Sequence, residues 1–460
     1  MFKKNIIISG IVIISIISLM VGLKLKKIYI DDNYNLGKDD DIGKDDDIGK
    51  DDDIGKDDDI GKDDNIGKDD NIGKDDDIGK DDDIKVAEDG KHPFGAHGNI
   101  SEYELLSNMG IQWVRLAGHK GLNFNDGNYD LSQFESALDA AIKNKMEVIA
   151  TVKTGTYLQG ECSDKYPEHI EKYENFLREA VGKYKDKVKY YQIGNEPEGY
   201  KFWCDTAENY ANLLKISYIA IKDVCPECKV VFGGATSSHF YDNDISFYED
   251  VFNSLKSYGE CKESGCYDIF DLHTASCDVC LDKTTKIDVL CDTGKCSFSF
   301  IKDTYDNAVK LQNKYGFKKP IWSTEFGFLK GKIKNTEISL IKSIVFALEL
   351  GYKNIFWRVA EECCEIKTNG RLTNTYYAYK TLIKKVNGYS KLVKIADGQY
   401  RFDFSNKKPV YVLWESDRNI GLPDEIKSIG DIIISDYLGN KIKSKNLLLN
   451  EKPIFIELGK

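Results

Sequence analysis

The chain has 460 residues and a formal net charge of -12, but this charge is distributed unevenly. Residues 37–84 are eight copies of Gly-Lys-Asp-Asp-(Asp/Asn)-Ile that together carry -14, and residues 1–36 carry +3, which leaves -1 on the other 376 residues. A near-neutral remainder excludes a nucleic-acid-binding protein, which needs a surplus of basic residues, and its length suits one large domain plus a smaller one.

The first predicted element is an uncharged, apolar segment at residues 5–23 with lysines on both sides. About eighteen apolar residues at 1.5 Å rise cross a hydrocarbon layer of roughly 30 Å. The run is long for a signal peptide, and no small-residue cleavage site follows it. We therefore predict that residues 1–36 are a cytoplasmic end and an uncleaved membrane anchor. A cleaved signal peptide is the alternative, whereas a charged tract directly after the run disfavours a buried core helix.

The repeat at residues 37–84 is predicted to be a disordered, extended tether. Its six-residue period resembles that of the left-handed β-helix, but Asp or Asn stands where such a helix buries a small residue. One Ile in six residues cannot form a core, and the like charges repel one another. At roughly 3.3 Å per residue the tether reaches at most about 160 Å. Calcium binding by the Asp triplets stays open, although their spacing matches no EF-hand loop.

From His92 onward, apolar runs alternate with amphipathic segments. The predicted strands are Pro93–His97, Ile111–Leu116, Met146–Val152, Val188–Ile193, Lys229–Gly233, Ile269–His273, Pro320–Glu325 and Asn354–Val359. Most are continuously apolar, as strands of a parallel sheet covered on both faces are. Eight strand–helix units predict a (β/α)₈ TIM barrel over residues 85–386. A doubly wound sheet is the alternative, but no glycine-rich phosphate loop supports it.

Two of the intervening helices have clear signatures. One has an apolar stripe at Phe134, Ala137, Leu138, Ala141 and Ile142 behind a predicted start at Asp130. The other has a stripe at Tyr210, Leu213, Leu214 and Ile221 behind a predicted start at Asp205. Both stripes have the spacing of one helix face.

After Lys385 the helical spacing ends, and residues 387–460 are predicted to form a small C-terminal β-sandwich domain. The predicted strands are Tyr400–Phe404, Val410–Trp414, Asp431–Ser435 and Ile454–Glu457, with a turn at Leu438-Gly-Asn440.

Two predicted barrel strands end in an acid. The fourth ends in Gln-Ile-Gly-Asn195-Glu196-Pro197, and the seventh ends in Trp-Ser-Thr324-Glu325-Phe-Gly. In a barrel the reactive residues gather at the carboxyl ends of the strands. Two carboxylates from strands three places apart can therefore face each other across a bound sugar.

These residues resemble the signatures of the clan A glycoside hydrolases, which include cellulases, mannanases and β-xylosidases. That clan has Asn-Glu-Pro at the end of strand four and a Glu, often within Thr-Glu-Phe-Gly, at the end of strand seven. Both motifs are present in the same order, 129 residues apart, and the resemblance covers roughly residues 92–386. It implies a hydrolase with a covalent glycosyl-enzyme intermediate, a carbohydrate substrate, no cofactor and no metal.

The resemblance also implies roles for individual residues. Glu325 would be the nucleophile and Glu196 the general acid and base, with their pKa values pushed apart. Asn195 would bind the sugar 2-hydroxyl, and Arg115 would keep the nucleophile ionised. The further predicted substrate-binding residues are His273, Trp357, His97 and Trp203. One departure is Ala275, because the clan commonly has a Tyr two residues after the strand-six His.

Each of these residues also has a structural interpretation that the sequence leaves open. Glu196 and Glu325 could cap helices, and Arg115 could be an ion-pair partner in the core. His273 could be a hydrogen-bonded core histidine, and Trp357 could be ordinary core packing. Glu198 is interpreted as a rim or helix-start acid.

All 12 Cys lie between Cys162 and Cys364, mostly in close pairs. An even count beside a secretion signal predicts disulfides in an oxidising compartment. We expect that a Cys162–Cys204 bridge joins two loops of the cleft. Zinc bound by Cys277, Cys280, Cys291 and Cys296 is the alternative.

The sequence therefore predicts a membrane-anchored, extracellular retaining glycosidase that acts on a β-linked polysaccharide or oligosaccharide. If the signal is cleaved, the enzyme is secreted. Two alternatives stay open: a non-catalytic carbohydrate-binding or adhesion protein on the same barrel, and an envelope transglycosylase. The sequence does not indicate an oligomeric state.

Overall fold

A computed structural model describes residues 92–125, 129–155, 162, 164–276, 279–281, 288–290, 295–328, 335–361, 364–415, 420–427, 431–443 and 447–459. The predicted anchor and tether lie outside these residues. Within the described ranges, no helix is both long enough and apolar enough to cross a membrane.

The strands are β1 Phe94–Ala96, β2 Trp113–Leu116, β3 Leu122–Asn123, β4 Glu147–Lys153, β5 Tyr190–Ile193, β6 Lys229–Val231, β7 Ala235–Thr236, β8 Phe270–Ser276, β9 Val279–Leu281, β10 Asp288–Leu290, β11 Ile321–Phe328, β12 Ile355–Trp357, β13 Lys367–Thr368, β14 Arg371–Leu372, β15 Lys391–Ala396, β16 Gln399–Asp403, β17 Val410–Leu413, β18 Ile420–Gly421, β19 Ile432–Asp436, β20 Lys441–Ile442, β21 Leu448–Leu449 and β22 Ile454–Leu458.

The α-helices are α1 Tyr103–Met109, α2 Ser132–Lys143, α3 Ile170–Tyr184, α4 Ala207–Val224, α5 Ser237–Asp242, α6 Ser246–Ser257, α7 Lys295–Tyr315, α8 Thr336–Leu350, α9 Asn374–Val386 and α10 Asp424–Lys427. Two short 3₁₀ helices lie at Ile100–Glu102 and Gly118–Lys120.

The large sheet is mostly parallel and curled, with helices between its strands, as in a TIM-like α/β fold. Its strand order is β6-β5-β4-β2-β1-β12-β11-β8-β7, with β3 beside β4. A parallel bridge joins Val231, at the end of β6, to Ile269, directly before β8, which is the next-to-last strand at the other side of this order. All eight predicted strand positions are confirmed.

The inner face of the curled sheet is built in layers, because side chains of a strand alternate between its two faces. The lowest layer is an apolar cluster of Trp113, Ile149, Val231, Ile269, Trp322 and Phe356. Arg115, Thr151, Asp271 and Thr324 lie two residues after members of this cluster, and Gln192 lies two residues after Tyr190, which packs against the cluster. All five are fully buried. The sheet thus changes from an apolar to a polar interior toward the carboxyl ends of its strands.

The apolar stripes of the two predicted helices are confirmed, except at one residue, and the predicted start of the second helix is corrected. Phe134, Ala137, Leu138 and Ala141 are buried, whereas Ile142 is 39% exposed and was wrongly assigned to the core face. All four residues of the second stripe are buried in α4. The cap of α4 is Thr206, whose hydroxyl accepts the backbone N–H of Asn209, so the predicted start at Asp205 was one residue too early.

The C-terminal part contains a six-stranded antiparallel sheet, ordered β15-β16-β17-β22-β19-β20, and the antiparallel pair β18-β21. The four predicted strands are present, and Gly439 takes the left-handed conformation that the predicted turn requires (φ +90°). The antiparallel sheets agree in part with the predicted β-sandwich.

Three disulfides join Cys162 to Cys204, Cys225 to Cys228 and Cys261 to Cys266. The first connects the loop after β4 to the loop after β5, as expected. The cysteine side chains of the zinc alternative lie outside the described part of the chain.

Gly95 provides a stability test of the layered interior. A Cβ on Gly95 would lie 2.5 Å from the Phe356 ring, so we expect Gly95→Ala to lower the free energy of unfolding by about 1–3 kcal/mol. Gly182→Ala in α3 is the control, because it meets open space there and is expected to stabilise the helix by about 0.5–1 kcal/mol. Urea denaturation measures both changes. Equal stability of Gly95→Ala and wild type would contradict the packing described.

Candidate active site

A fully buried arginine brings the two sequence motifs together. Arg115, on β2, donates from Nη1 to Glu325 Oε1 at 2.5 Å and from Nη2 to Asn195 Oδ1 at 2.7 Å. Its Nε donates to Gln192 Oε1 at 2.7 Å. Three of the predicted site residues therefore meet at one guanidinium.

Glu325 reaches the inner face because β11 contains a bulge. Between Ser323 and Phe326 the strand advances three residues, while the paired stretch of β12 from Ile355 to Trp357 advances two. A bulge bends a strand and redirects its side chains. Both Thr324 and Glu325 consequently contact residues of the inner layer.

Glu196 lies in an unusual backbone conformation directly after β5. Its φ of +44° is in the left-handed region, which is uncommon for a residue other than glycine. Its N–H donates to the Gly233 carbonyl at 2.7 Å, and its own carbonyl accepts the N–H of Gly199 at 2.8 Å. These contacts hold the strained residue in place, as is typical of functional sites.

His273, on β8, connects the Glu196 side of the site to Asp271 and Thr324. Its Nδ1 lies 2.9 Å from Glu196 Oε1, its Nε2 lies 3.1 Å from Thr324 Oγ1, and Asp271 Oδ2 is 3.3 Å from the same Nε2. Gly234 makes room for the ring, since a Cβ there would lie 2.2 Å from Nε2 and Gly234 has φ +67°.

Asp271 is a buried acid that the sequence analysis missed. It accepts the N–H of Thr324 at 2.8 Å, the Thr324 hydroxyl at 2.5 Å and a hydrogen bond from Gln192 Nε2. The signal was present in the sequence, because Asp271 precedes His273 by two residues and therefore shares its face. Gln192, likewise missed, bridges Arg115 to Asp271.

The charges around Glu325 favour its ionised form. Burial by itself raises the pKa of this carboxyl, but His273, His97, Arg115 and Arg358 together lower the pKa well below its usual range. A cation near a carboxylate stabilises its charged state. Glu325 is therefore an ionised carboxylate at neutral pH, and its side chain remains 15% exposed.

The two histidines respond oppositely to their surroundings. Burial lowers the pKa of His97 to about 3, although Glu325 acts against this shift. Burial also tends to lower the pKa of His273, but Glu325 and Asp271 outweigh burial and raise it to about 10. His273 is thus an imidazolium that donates from both ring nitrogens, and His97 is a neutral ring.

One ligand atom each from Glu196, His273 and Glu325 lie within 4.8 Å of one another. Such a set could hold a metal ion. Arg115 already pairs with Glu325 Oε1, so a metal ion at this place would have to share that carboxylate with a buried guanidinium. The arrangement suits two carboxylates that act on one small group placed between them.

The remaining predicted residues fall into two groups. His97 joins the site, with Nδ1 3.6 Å from Glu325 Oε1. Trp203 and Trp357 do not join it. The Trp203 indole is 5% exposed and packs on Tyr210, and its N–H donates to the Thr206 carbonyl.

Trp357 faces the helix layer instead of the inner face of the sheet. It is fully buried, its ring packs near Tyr379 of α9, and its N–H donates to the Cys364 carbonyl. The preceding Phe356 occupies the inner face, so alternation turns Trp357 outward. The next residue, Arg358, is the one that lies beside Glu325, and the sequence analysis missed it.

Glu198 contacts the neighbouring loop. Its Oε1 accepts the Thr236 N–H at 2.9 Å and a hydrogen bond from the Thr236 hydroxyl. This agrees with its interpretation as an acid of the rim.

No protein-family model and no curated protein sequence matches the chain. Its structure is similar to a family 39 glycoside hydrolase from Bacteroides cellulosilyticus, with a TM-score of 0.57, 14% identity and 82% of each chain covered. It is also similar to a family 39 β-xylosidase from Caulobacter crescentus, with a TM-score of 0.57, 11% identity and coverage of 82% of this chain and 98% of that one.

A family 44 endoglucanase from Clostridium thermocellum is similar too, with a TM-score of 0.54, 12% identity and coverage of 82% of this chain and 97% of that one. At sequence identities this low, the structural similarity shows a shared fold alone. The chain therefore has the fold of these clan A enzymes over 82–98% of their length.

The raised pKa of His273 makes a pH-dependent contribution to stability. A group with a folded pKa of about 10 and an ordinary value of 6.5 contributes fully below pH 6.5, and this contribution disappears as pH rises through 10. The stability difference between wild type and His273→Asn should therefore shrink from pH 6.5 to pH 10. Denaturation at several pH values measures it. A difference that stays constant across this window would show that His273 is not held as an imidazolium.

Proposed function

We propose that this protein is a retaining glycoside hydrolase that cleaves β-linked polysaccharides or oligosaccharides. The observation that carries the proposal is the approach of Glu196 and Glu325, whose nearest ligand atoms are within 4.8 Å. Retaining enzymes have carboxyl groups about 5–5.5 Å apart, and inverting enzymes leave about 6.5–9.5 Å for a water molecule. The proposal includes complete closure of the sheet into a (β/α)₈ barrel.

Glu325 is the nucleophile in this proposal. Arg115 fixes its Oε1 and keeps the carboxylate ionised, which leaves an oxygen to attack the anomeric carbon. As the new carbon–oxygen bond forms, the glycosidic bond breaks and its electron pair passes to the leaving oxygen. The product of this step is a glycosyl-enzyme ester.

Glu196 supplies the proton that the leaving oxygen takes up. Its Oε1 accepts from His273, so the proton is carried on Oε2. After the ester has neutralised Glu325, Glu196 no longer faces a negative charge at close range. It can then remove a proton from the water that hydrolyses the ester, which is the second half of a retaining cycle.

Asn195 is oriented for the sugar by Arg115. Because its Oδ1 accepts from the guanidinium, its Nδ2 points away from Arg115 as a donor. We assign this donor to the 2-hydroxyl of the sugar, where a hydrogen bond strengthens in the transition state.

We further propose that an amino-terminal anchor and the Asp-rich tether hold this enzyme outside the cell membrane. The lysine-flanked apolar run supports an anchor, and the three disulfides support an oxidising compartment. The proposed domains are an anchor at 1–36, a tether at 37–84, a catalytic barrel at 85–386 and a β-sandwich at 387–460.

The proposed nucleophile is tested by covalent labelling. Glu325→Gln should abolish formation of a glycosyl-enzyme with a 2-deoxy-2-fluoro glycoside, because a neutral amide is a far weaker nucleophile. Intact-protein mass spectrometry measures the adduct. Glu174→Gln on the outer helix α3 is the matched control and should label as wild type does. Labelling of the Glu325 variant at the wild-type rate would remove Glu325 from this role.

The proposed acid and base is tested by its dependence on the leaving group. Glu196→Ala should keep much of its activity toward dinitrophenyl glycosides, which need no proton, and should lose about 10²–10⁴-fold toward glycosides with poor leaving groups. Azide should partly restore turnover by replacing the base-activated water. An equal loss with both classes of substrate would contradict the assignment.

A further inference from the structure

We propose that Arg358, locked against Glu361, positions the second carboxylate oxygen of Glu325. The inference rests on the proposed function, because it assigns a role within the same reaction. Arg358 acts through Glu325 and is therefore a positioning residue.

The register of β12 places Arg358 on the inner face. Phe356 fills the lowest inner layer, Trp357 faces the helices, and the next inward position is 358. The Arg358 N–H donates to the Phe326 carbonyl at 3.0 Å, which continues the pairing with β11 just past the bulge. Arg358 is thus fixed to the strand that carries Glu325.

The two arginines lie on opposite oxygens of the nucleophile. Arg115 Nη1 donates to Oε1, whereas Arg358 Nε lies 3.9 Å from Oε2. At 3.9 Å the second contact is an ion pair without a direct hydrogen bond. It therefore constrains Oε2 by charge and leaves that oxygen available for bond formation.

Glu361 holds the Arg358 guanidinium in this position. Arg358 Nε donates to Glu361 Oε1 at 2.5 Å, and Nη2 donates to Oε2 of the same carboxylate. A bidentate pair of this kind fixes the plane of the guanidinium. The Glu361 N–H donates to the Arg358 carbonyl at 3.4 Å, so one short turn contains the whole pair.

The pair with Glu361 also reduces the repulsion between Arg358 and the positive charge of the transition state. The anomeric carbon becomes positive in the transition state, and a lone guanidinium beside the nucleophile would oppose that charge. Glu361 offsets part of the Arg358 charge at the distance of the anomeric carbon, whereas Arg358 Nε stays 3.9 Å from Glu325 Oε2 and still acts on that oxygen. The pair can therefore orient Glu325 with little penalty at the carbon.

This arrangement also accounts for the departure at Ala275. A tyrosine at that position would be expected to hold the nucleophile, and the chain has none there. Arg358 comes from the neighbouring strand and supplies a permanent positive charge in place of a neutral phenol. The nucleophile then stays ionised to lower pH.

The test is the pH profile of kcat/KM with a dinitrophenyl glycoside, for which Glu196 need not donate a proton. Arg358→Met should move the acidic limb up by about one pH unit or more, since Arg358 lowers the pKa of Glu325. In Arg358→Lys, which keeps a positive charge, the acidic limb should lie closer to its wild-type position than in Arg358→Met. Arg178→Met, which removes a partly exposed arginine of α3, is the control and should leave the limb in place.

Glu361→Gln distinguishes the effect of the orientation of Arg358 from the effect of its positive charge. It should lower kcat by about tenfold while the acidic limb stays at or below that of wild type, because the positive charge of Arg358 remains. A fall in activity of Arg358→Met with an unmoved limb would overturn the proposal. If Arg358→Met fails to fold, Arg358→Gln removes the same charge with a polar side chain, and its acidic limb is compared with that of Arg358→Lys.

A second readout keeps this inference separate from the proposed function. Titration of ¹³C-labelled glutamate carboxyls by NMR reports the pKa of Glu325 without turnover. Arg358→Met should raise that pKa even if wild type cleaves no glycoside, an outcome that would reject the glycosidase alone. An unchanged pKa would reject the role of Arg358.

Discussion

The site depends on one buried positive charge. Arg115 is inaccessible to solvent, and a buried guanidinium is tolerated only when its donors are paired. Its three nitrogens are directed to Glu325, Asn195 and Gln192, which come from two different strands. Loss of any partner would leave an unpaired buried donor. The burial of Arg115 therefore fixes the relative positions of the two strand ends that carry the acids.

The two carboxylates of the site differ in the charged groups that surround them. Glu325 contacts permanent cations, and its pKa falls. Among the residues that the structure describes, the charged group paired with Glu196 is His273, which in turn contacts Asp271 and the hydroxyl of Thr324. Two acids in one cleft thus have different surroundings, which is the usual basis for different roles.

The sequence predicted the sheet and the two acids because long apolar runs and strand-end motifs are local signals. It missed Asp271 and Gln192, whose importance depends on which residues of distant strands share an interior layer. It assigned the wrong face at Trp357 for a related reason. A shift of one residue in a strand exchanges its inner and outer faces, and the run Phe356-Trp357-Arg358 contains no local signal for that choice. The bulge at Thr324 is also invisible in the sequence.

The account predicts a covalent intermediate at Glu325, and this has a direct stereochemical consequence. Time-resolved ¹H NMR of the full chain acting on a β-linked oligosaccharide reports the anomeric configuration of the first product formed. Two successive displacements at the anomeric carbon should release the β-anomer, followed by slow mutarotation. Initial release of the α-anomer would require a single displacement by water, and it would contradict the role assigned to Glu325.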